Sequence, residues 1–178
     1  RDLWKWTHKH SREINEVIQL ELRRLPEEWP ARARIWERLH DELYYRGSQV
    51  AQKGQVLLEA KAVLVQSITR HAVRADQDGF ELAAVNSGVK VSEVGAALLD
   101  DGAAVAMMWF ATPDGFVHSL RSRGRCHVGE LAGSFGGGGH PQAAGFVSPR
   151  IVDPEHVLLR AFALPGCIAT TIDARASE

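Results

Sequence analysis

The stretch Gly136-Gly137-Gly138-Gly139-His140-Pro141-Gln142-Ala143-Ala144-Gly145 constrains this chain more than any other. Four consecutive glycines lose much backbone entropy when ordered, so a folded domain keeps them only for a reason. One reason is an approach of backbone N–H groups to an anion so close that a Cβ would clash. A flexible linker is equally compatible with the glycine count alone. The residues that follow favour order. Pro141 pushes the His140 backbone toward an extended conformation, and Ala143, Ala144 and Gly145 permit close packing behind the loop. A histidine beside such a loop is placed to donate to phosphate. The stretch is not a Walker loop, because no Gly-Lys-Ser/Thr follows it.

A basic cluster lies just upstream. If 116–123 is a strand, Ser119, Arg121 and Arg123 point to one face and Leu120 and Ser122 to the other. With Arg125, these arginines are the densest positive charge in an acidic half of the chain. Guanidinium offers a planar fork that matches phosphate oxygens. A charged strand edge that blunts aggregation explains the same residues; adjacency to the glycine loop and His140 tips the balance toward anion binding.

The rest of the chain divides in two. Residues 1–74 hold 14 Lys/Arg against 10 Asp/Glu, and residues 75–178 hold 7 against 12. The first part reads as helices over about 11–25, 31–46 and 48–70, each with an apolar stripe at 3.6-residue spacing. Ser11 is the expected cap of the first, Gly47 the end of the second, and Trp29 and Trp36 are expected in a helical core. Lys61 interrupts the third stripe and is expected to snorkel. The second part alternates strands and helices. Strands are expected over 80–85, 103–111 and 116–122 and after the glycine loop, with Thr112-Pro113-Asp114-Gly115 as a turn. Helices are expected over 92–99, capped by Ser92, 128–135 and 155–162. Asn86 is expected to cap a loop. The pattern implies an α/β fold, with α+β as the alternative.

At 178 residues and a net charge of −1, the chain can bury a core and advertises no polycationic field. No apolar run approaches a membrane span. Cys126 and Cys167 are too few for a disulfide scaffold or a cysteine-built zinc site, and Cys126 reads as a passive thiol. A cytoplasmic location is expected. The first residue is Arg1 rather than Met, which suggests a piece of a longer protein.

Ser119-Leu120-Arg121-Ser122, a short helix ending Ala132-Gly133-Ser134-Phe135, then Gly136–Gly139, His140 and Ala143-Ala144-Gly145 resemble the DHHA1 domain of the DHH phosphoesterase superfamily. The resemblance spans roughly 75–150, and Asp2-Leu3-Trp4-Lys5-Trp6 looks like the segment that follows the catalytic domain in such hydrolases. It implies a helical connector over 1–74 and a mixed-sheet substrate-binding domain, flanked by helices, over 75–178. By motif position the phosphate-binding set is Arg121, Ser122, Arg123, Gly136, Gly137, Gly138, Gly139 and His140. The expected ligand is a nucleotide or short single-stranded nucleic acid, with homodimerisation an open option.

The family's two divalent ions, commonly manganese, sit on Asp and His of an N-terminal DHH domain and activate water for in-line attack at phosphorus. No Asp-His-His triplet occurs in this sequence, so no metal and no catalytic residue is expected on this chain. His8-Lys9-His10 is the nearest cluster, and its histidines would point apart on a helix. A metal-binding Asp is expected upstream of Arg1, with Asp2 a weaker candidate. The expected activity is therefore that of a longer phosphoesterase. The alternative is a non-catalytic nucleic-acid-binding DHHA1 module.

Overall fold

In the computed structural model the described residues are 10–23 and 28–167, except for the Tyr45 side chain. The expectations for Asp2, Trp4, Trp6 and His8 lie outside them. The chain forms two compact units, Arg1–Leu64 and Val65–Glu178.

The first unit is helical. Helix α1 covers Ser11–Leu22 and α2 covers Trp29–Thr69, broken locally at Arg46, where φ is −134° and ψ 28°. That break lies where Gly47 was expected to end a helix. The cap of α1 is His10 in a left-handed conformation, not Ser11, which is already helical. Helix α1 buries Val17, and α2 buries Leu39, Val50 and Ala51. The two come so close at Gly54 that a Cβ there would lie 1.9 Å from the Glu13 carbonyl oxygen. Buried Glu21 meets Arg38 at 2.6 Å and Lys53 at 3.7 Å, and Lys61 pairs with Glu16. Trp29 and Trp36 are exposed, contrary to expectation. The stripe that α1 covers is centred on Leu39, Val50, Ala51 and Gly54, and both indoles fall outside it.

The second unit is a six-stranded mixed sheet flanked by helices. Its strands are β1 (Val73–Gln77), β2 (Phe80–Asn86), β3 (Val105–Thr112), β4 (Gly115–Ser122), β5 (Gly138–His140) and β6 (Ala143–Ser148). Their order is β1-β2-β3-β4-β6-β5. Only β2 and β3 run parallel, joined through α3 (Val91–Asp100). Every other neighbouring pair is antiparallel. The β1–β2 hairpin turns on Asp78 and Gly79, both at positive φ, the arrangement whose twist matches flanking strands.

Two cores lie on opposite faces of the sheet. On one, Ala83, Val85, Ala106 and Met108 pack under Val94 and Leu98 of α3. On the other, Leu82, Val105, Met107, Leu120, Ala144 and Phe146 pack under α4 (Val128–Gly133) and α5 (Pro154–Phe162). The cap of α3 is Lys90 in a left-handed conformation, not Ser92. Asp153 caps α5, its Oδ1 accepting from Glu155 N at 2.9 Å. Cys126 and Cys167 form a disulfide across 41 residues, correcting the reading of Cys126 as a free thiol. Sequence spacing alone does not reveal such a pairing; it needs the chain around α4 and α5 to bring the two together.

Candidate anion site on the sheet face beyond α3

Strand register decides which of the expected residues meet. Arg121 of β4 pairs with Ala143 of β6, and Ala143 pairs with His140 of β5. These three therefore form one cross-strand row on the face that carries α3. Two strand spacings separate the ends of the row, about 10 Å. The next row along the strands is Ser119, Gly145 and Gly138. Arg121 and His140 thus stand as two posts beside a floor of small residues.

The three arginines part company. Arg123 pairs with Asp100, whose carboxyl is held below its ordinary range mainly by that hydrogen bond. Arg125 reaches Gly79 O at 3.3 Å and lies over the Phe80 ring. Half-buried Arg121 donates from Nη1 to Leu120 O at 2.9 Å and has no carboxylate partner among the described residues. A guanidinium left without a counter-charge is poised to take an anion. Ser122 lies on the opposite, buried face, where its Oγ accepts from Cys126 N at 3.2 Å.

Each glycine of the run has its own reason. Gly136, at φ +80°, turns the chain out of α4. At Gly137 a Cβ would lie 2.2 Å from Gly145 O, so only glycine lets the chain pass over β6. Gly139, at φ +142°, would put a Cβ 2.6 Å from Ala144 Cα. Gly138 alone of the last three meets nothing within 4 Å, and its open direction lies along the site. The run is a structured edge strand, not a linker. His140 is exposed, and its imidazole makes no hydrogen bond or ion pair among the described residues.

Supports behind the loop were missed in the sequence. His127 caps α4, its Nδ1 accepting from Glu130 N at 3.1 Å, the role for which Asp or Ser is usual. Val128 N donates to Pro141 O at 2.9 Å, tying α4 to the β5–β6 turn. Gly95 of α3 presses on the Arg121 stem: a Cβ there would lie 2.9 Å from Arg121 Cγ. Glycine inside a helix is the signal that could have found it. Asn86 donates from Nδ2 to Trp109 O at 3.1 Å, the loop role expected of it. With Trp109 it also lines a separate cleft of about 400 Å³, which contains none of the expected phosphate-binding residues.

Among the described residues no three His, Cys, Asp or Glu side chains cluster to hold a metal ion. The described residues thus offer no donor set for a two-metal centre, and no step through metal is assigned to them.

Residues 78–161 match the family model of the DHHA1 domain. Over those residues the second unit is similar to a DHHA1 domain. Solved structures similar to the chain include an exopolyphosphatase-related protein from Bacteroides fragilis, 17% identical with a TM-score of 0.43, covering 67% of this chain and 41% of that one. PggH from Vibrio cholerae, a pGpG-specific phosphodiesterase, is 15% identical with a TM-score of 0.47, covering 84% and 53%. RecJ from Thermus thermophilus, solved with Mg²⁺, is 18% identical with a TM-score of 0.45, covering 88% and 25%. The chain spans between a quarter and about half of the length of these proteins. No curated protein matches it. No helix among the described residues is long and apolar enough to cross a membrane.

Proposed function

We propose that this chain is the substrate-gripping part of a DHH-family phosphoesterase that acts on short oligonucleotides or nucleotide phosphoesters. The observation that carries the reading is the cross-strand row Arg121–Ala143–His140, with Arg121 lacking a carboxylate partner among the described residues. Arg121 would supply a planar, always-charged fork, and His140 an imidazole N–H donor. The open edge at Gly138 lets a phosphate oxygen approach the backbone. Arg123, already paired with Asp100, and buried Ser122 have smaller claims on the ligand.

DHHA1 domains accompany N-terminal DHH domains. In this reading the divalent ions, manganese foremost, belong to such a domain and generate the attacking hydroxide there. A cytoplasmic location completes the proposal. There the Cys126–Cys167 disulfide would face a reducing thiol pool, in which disulfides are rare.

Calorimetric titration of the 178-residue chain with AMP and with a dinucleotide tests the reading. Arg121→Ala and His140→Ala are each expected to weaken binding at least tenfold, or about 1.4 kcal/mol. Undiminished binding by both variants would refute the site. Salt-sensitive RNA affinity that depends on the same residues, with no manganese-dependent hydrolysis by the longer protein, would instead establish a binding module.

A further inference from the structure

The same sheet face continues past the small-residue floor into a third row. Phe110 of β3 pairs with Val117 of β4, and Val117 with Val147 of β6. Alternation puts all three on the side of Ser119 and Arg121, away from buried His118 and Phe146. Helix α3 packs on β3 and β4 over Met108 and Arg121, and among the described residues no helix packs broadly on β6 from this face. Val147 is accordingly 55% exposed, and Val117 and Phe110 are half-buried. Gly88 seals the far end, where its ideal Cβ would lie 3.1 Å from Phe110 Cγ.

The face therefore grades from charge to apolar surface. Arg121 and His140 stand at one end, Ser119, Gly145 and Gly138 form the middle, and Phe110, Val117 and Val147 the other end. The middle stays flat because a Cβ at Gly145 would lie 2.7 Å from His118 O. Four residues of strand separate the end rows, about 13 Å. That is about the reach of one nucleotide laid flat. Its phosphate would stand at the charged end and its sugar over the small residues.

We propose that the Phe110–Val117–Val147 row is a platform for the nucleobase of the nucleotide whose phosphate Arg121 and His140 hold. The inference rests on the phosphate reading above and adds the substrate's other half to it. A second copy of the chain is the weaker occupant. Three side chains offer far less than the roughly 1,200 Å² that a stable interface buries, and they continue directly into the anion site. Aliphatic side chains recognise a flat π-face without reading its edge, so the platform predicts tolerance among bases.

The test compares AMP with ribose 5-phosphate, which keeps the phosphate and loses the base. Wild-type chain should bind AMP about tenfold tighter. In V117S/V147S that gap should close while ribose 5-phosphate affinity stays unchanged. The Val117 and Val147 methyl resonances should shift upfield with AMP and stay put with ribose 5-phosphate. Equal wild-type affinities for the two ligands would overturn the platform and leave the phosphate site standing, as would a gap that survives the double substitution. If neither ligand binds, the phosphate reading fails and the platform with it.

Discussion

Strands β4 and β6 show two opposite surfaces made from alternating residues. On one face His118, Leu120, Ala144 and Phe146 are buried; on the other Arg121 and Ala143 are only half-buried and Val147 is exposed. The two histidines measure the contrast. His118 is fully enclosed, stacks on Phe146 at 4.5 Å, bonds Phe116 O through Nδ1 at 3.1 Å and accepts from Val152 N at Nε2 at 3.2 Å. Both ring nitrogens are in use and burial holds its pKa below the ordinary value, partly opposed by the Phe116 bond. His140, on the neighbouring edge strand, spends neither nitrogen on the described residues. One sheet has made one histidine into core and left the other exposed. The difference is which face has a helix to cover it.

The comparison breaks if the faces respond alike to truncation. Phe146→Ala empties a site in the α4/α5 core and should cost about 3–5 kcal/mol in urea unfolding. Arg121→Ala should cost less than about 1 kcal/mol in the same measurement. Equal losses would mean that Arg121 is structural. Within the glycine run, Gly137→Ala forces a Cβ against Gly145 O and should destabilise by about 1–3 kcal/mol. Gly138→Ala meets open space and should change stability by less than about 1 kcal/mol, its effect appearing in ligand affinity instead. The smallest effect sharpens the histidine contrast. The folded pKa of His118 lies below its unfolded value near 6.5. Between the two values the unfolded chain binds the extra proton, so stability is full above pH about 6.5 and falls as pH drops through that window. Thermal melts should show this slope in wild type and a shallower one in His118→Phe. A slope unchanged in the variant would assign it elsewhere.

Much of the second unit was legible. Strands over Phe80–Asn86, Val105–Thr112 and Gly115–Ser122 follow β-branched and aromatic runs bounded by turn residues, and α3 and α5 follow clear periodicity. Short or unorthodox elements were not. Strand β5 hides inside a glycine run with no strand propensity, because its partner β6 imposes the conformation. The left-handed caps at His10 and Lys90 and the imidazole cap at His127 use residues that capping preferences rank low. Trp29 and Trp36 failed for the opposite reason: hydrophobicity marks a residue that can be buried, and exposure depends on where the covering helix lies.

Alternation and local chemistry were decided by the sequence itself. Period-two geometry put Arg121 opposite in sense to Leu120 and Ser122, and Pro141 pushed the His140 backbone toward the extended region. Tertiary structure decided which arginine lacks a carboxylate partner among the described residues and which histidine is left exposed. Those outcomes depend on Asp100 arriving from the end of α3, on α3 stopping short of β6, and on β6 standing between β4 and β5. They are facts about neighbours from distant parts of the chain, and no local pattern encodes them.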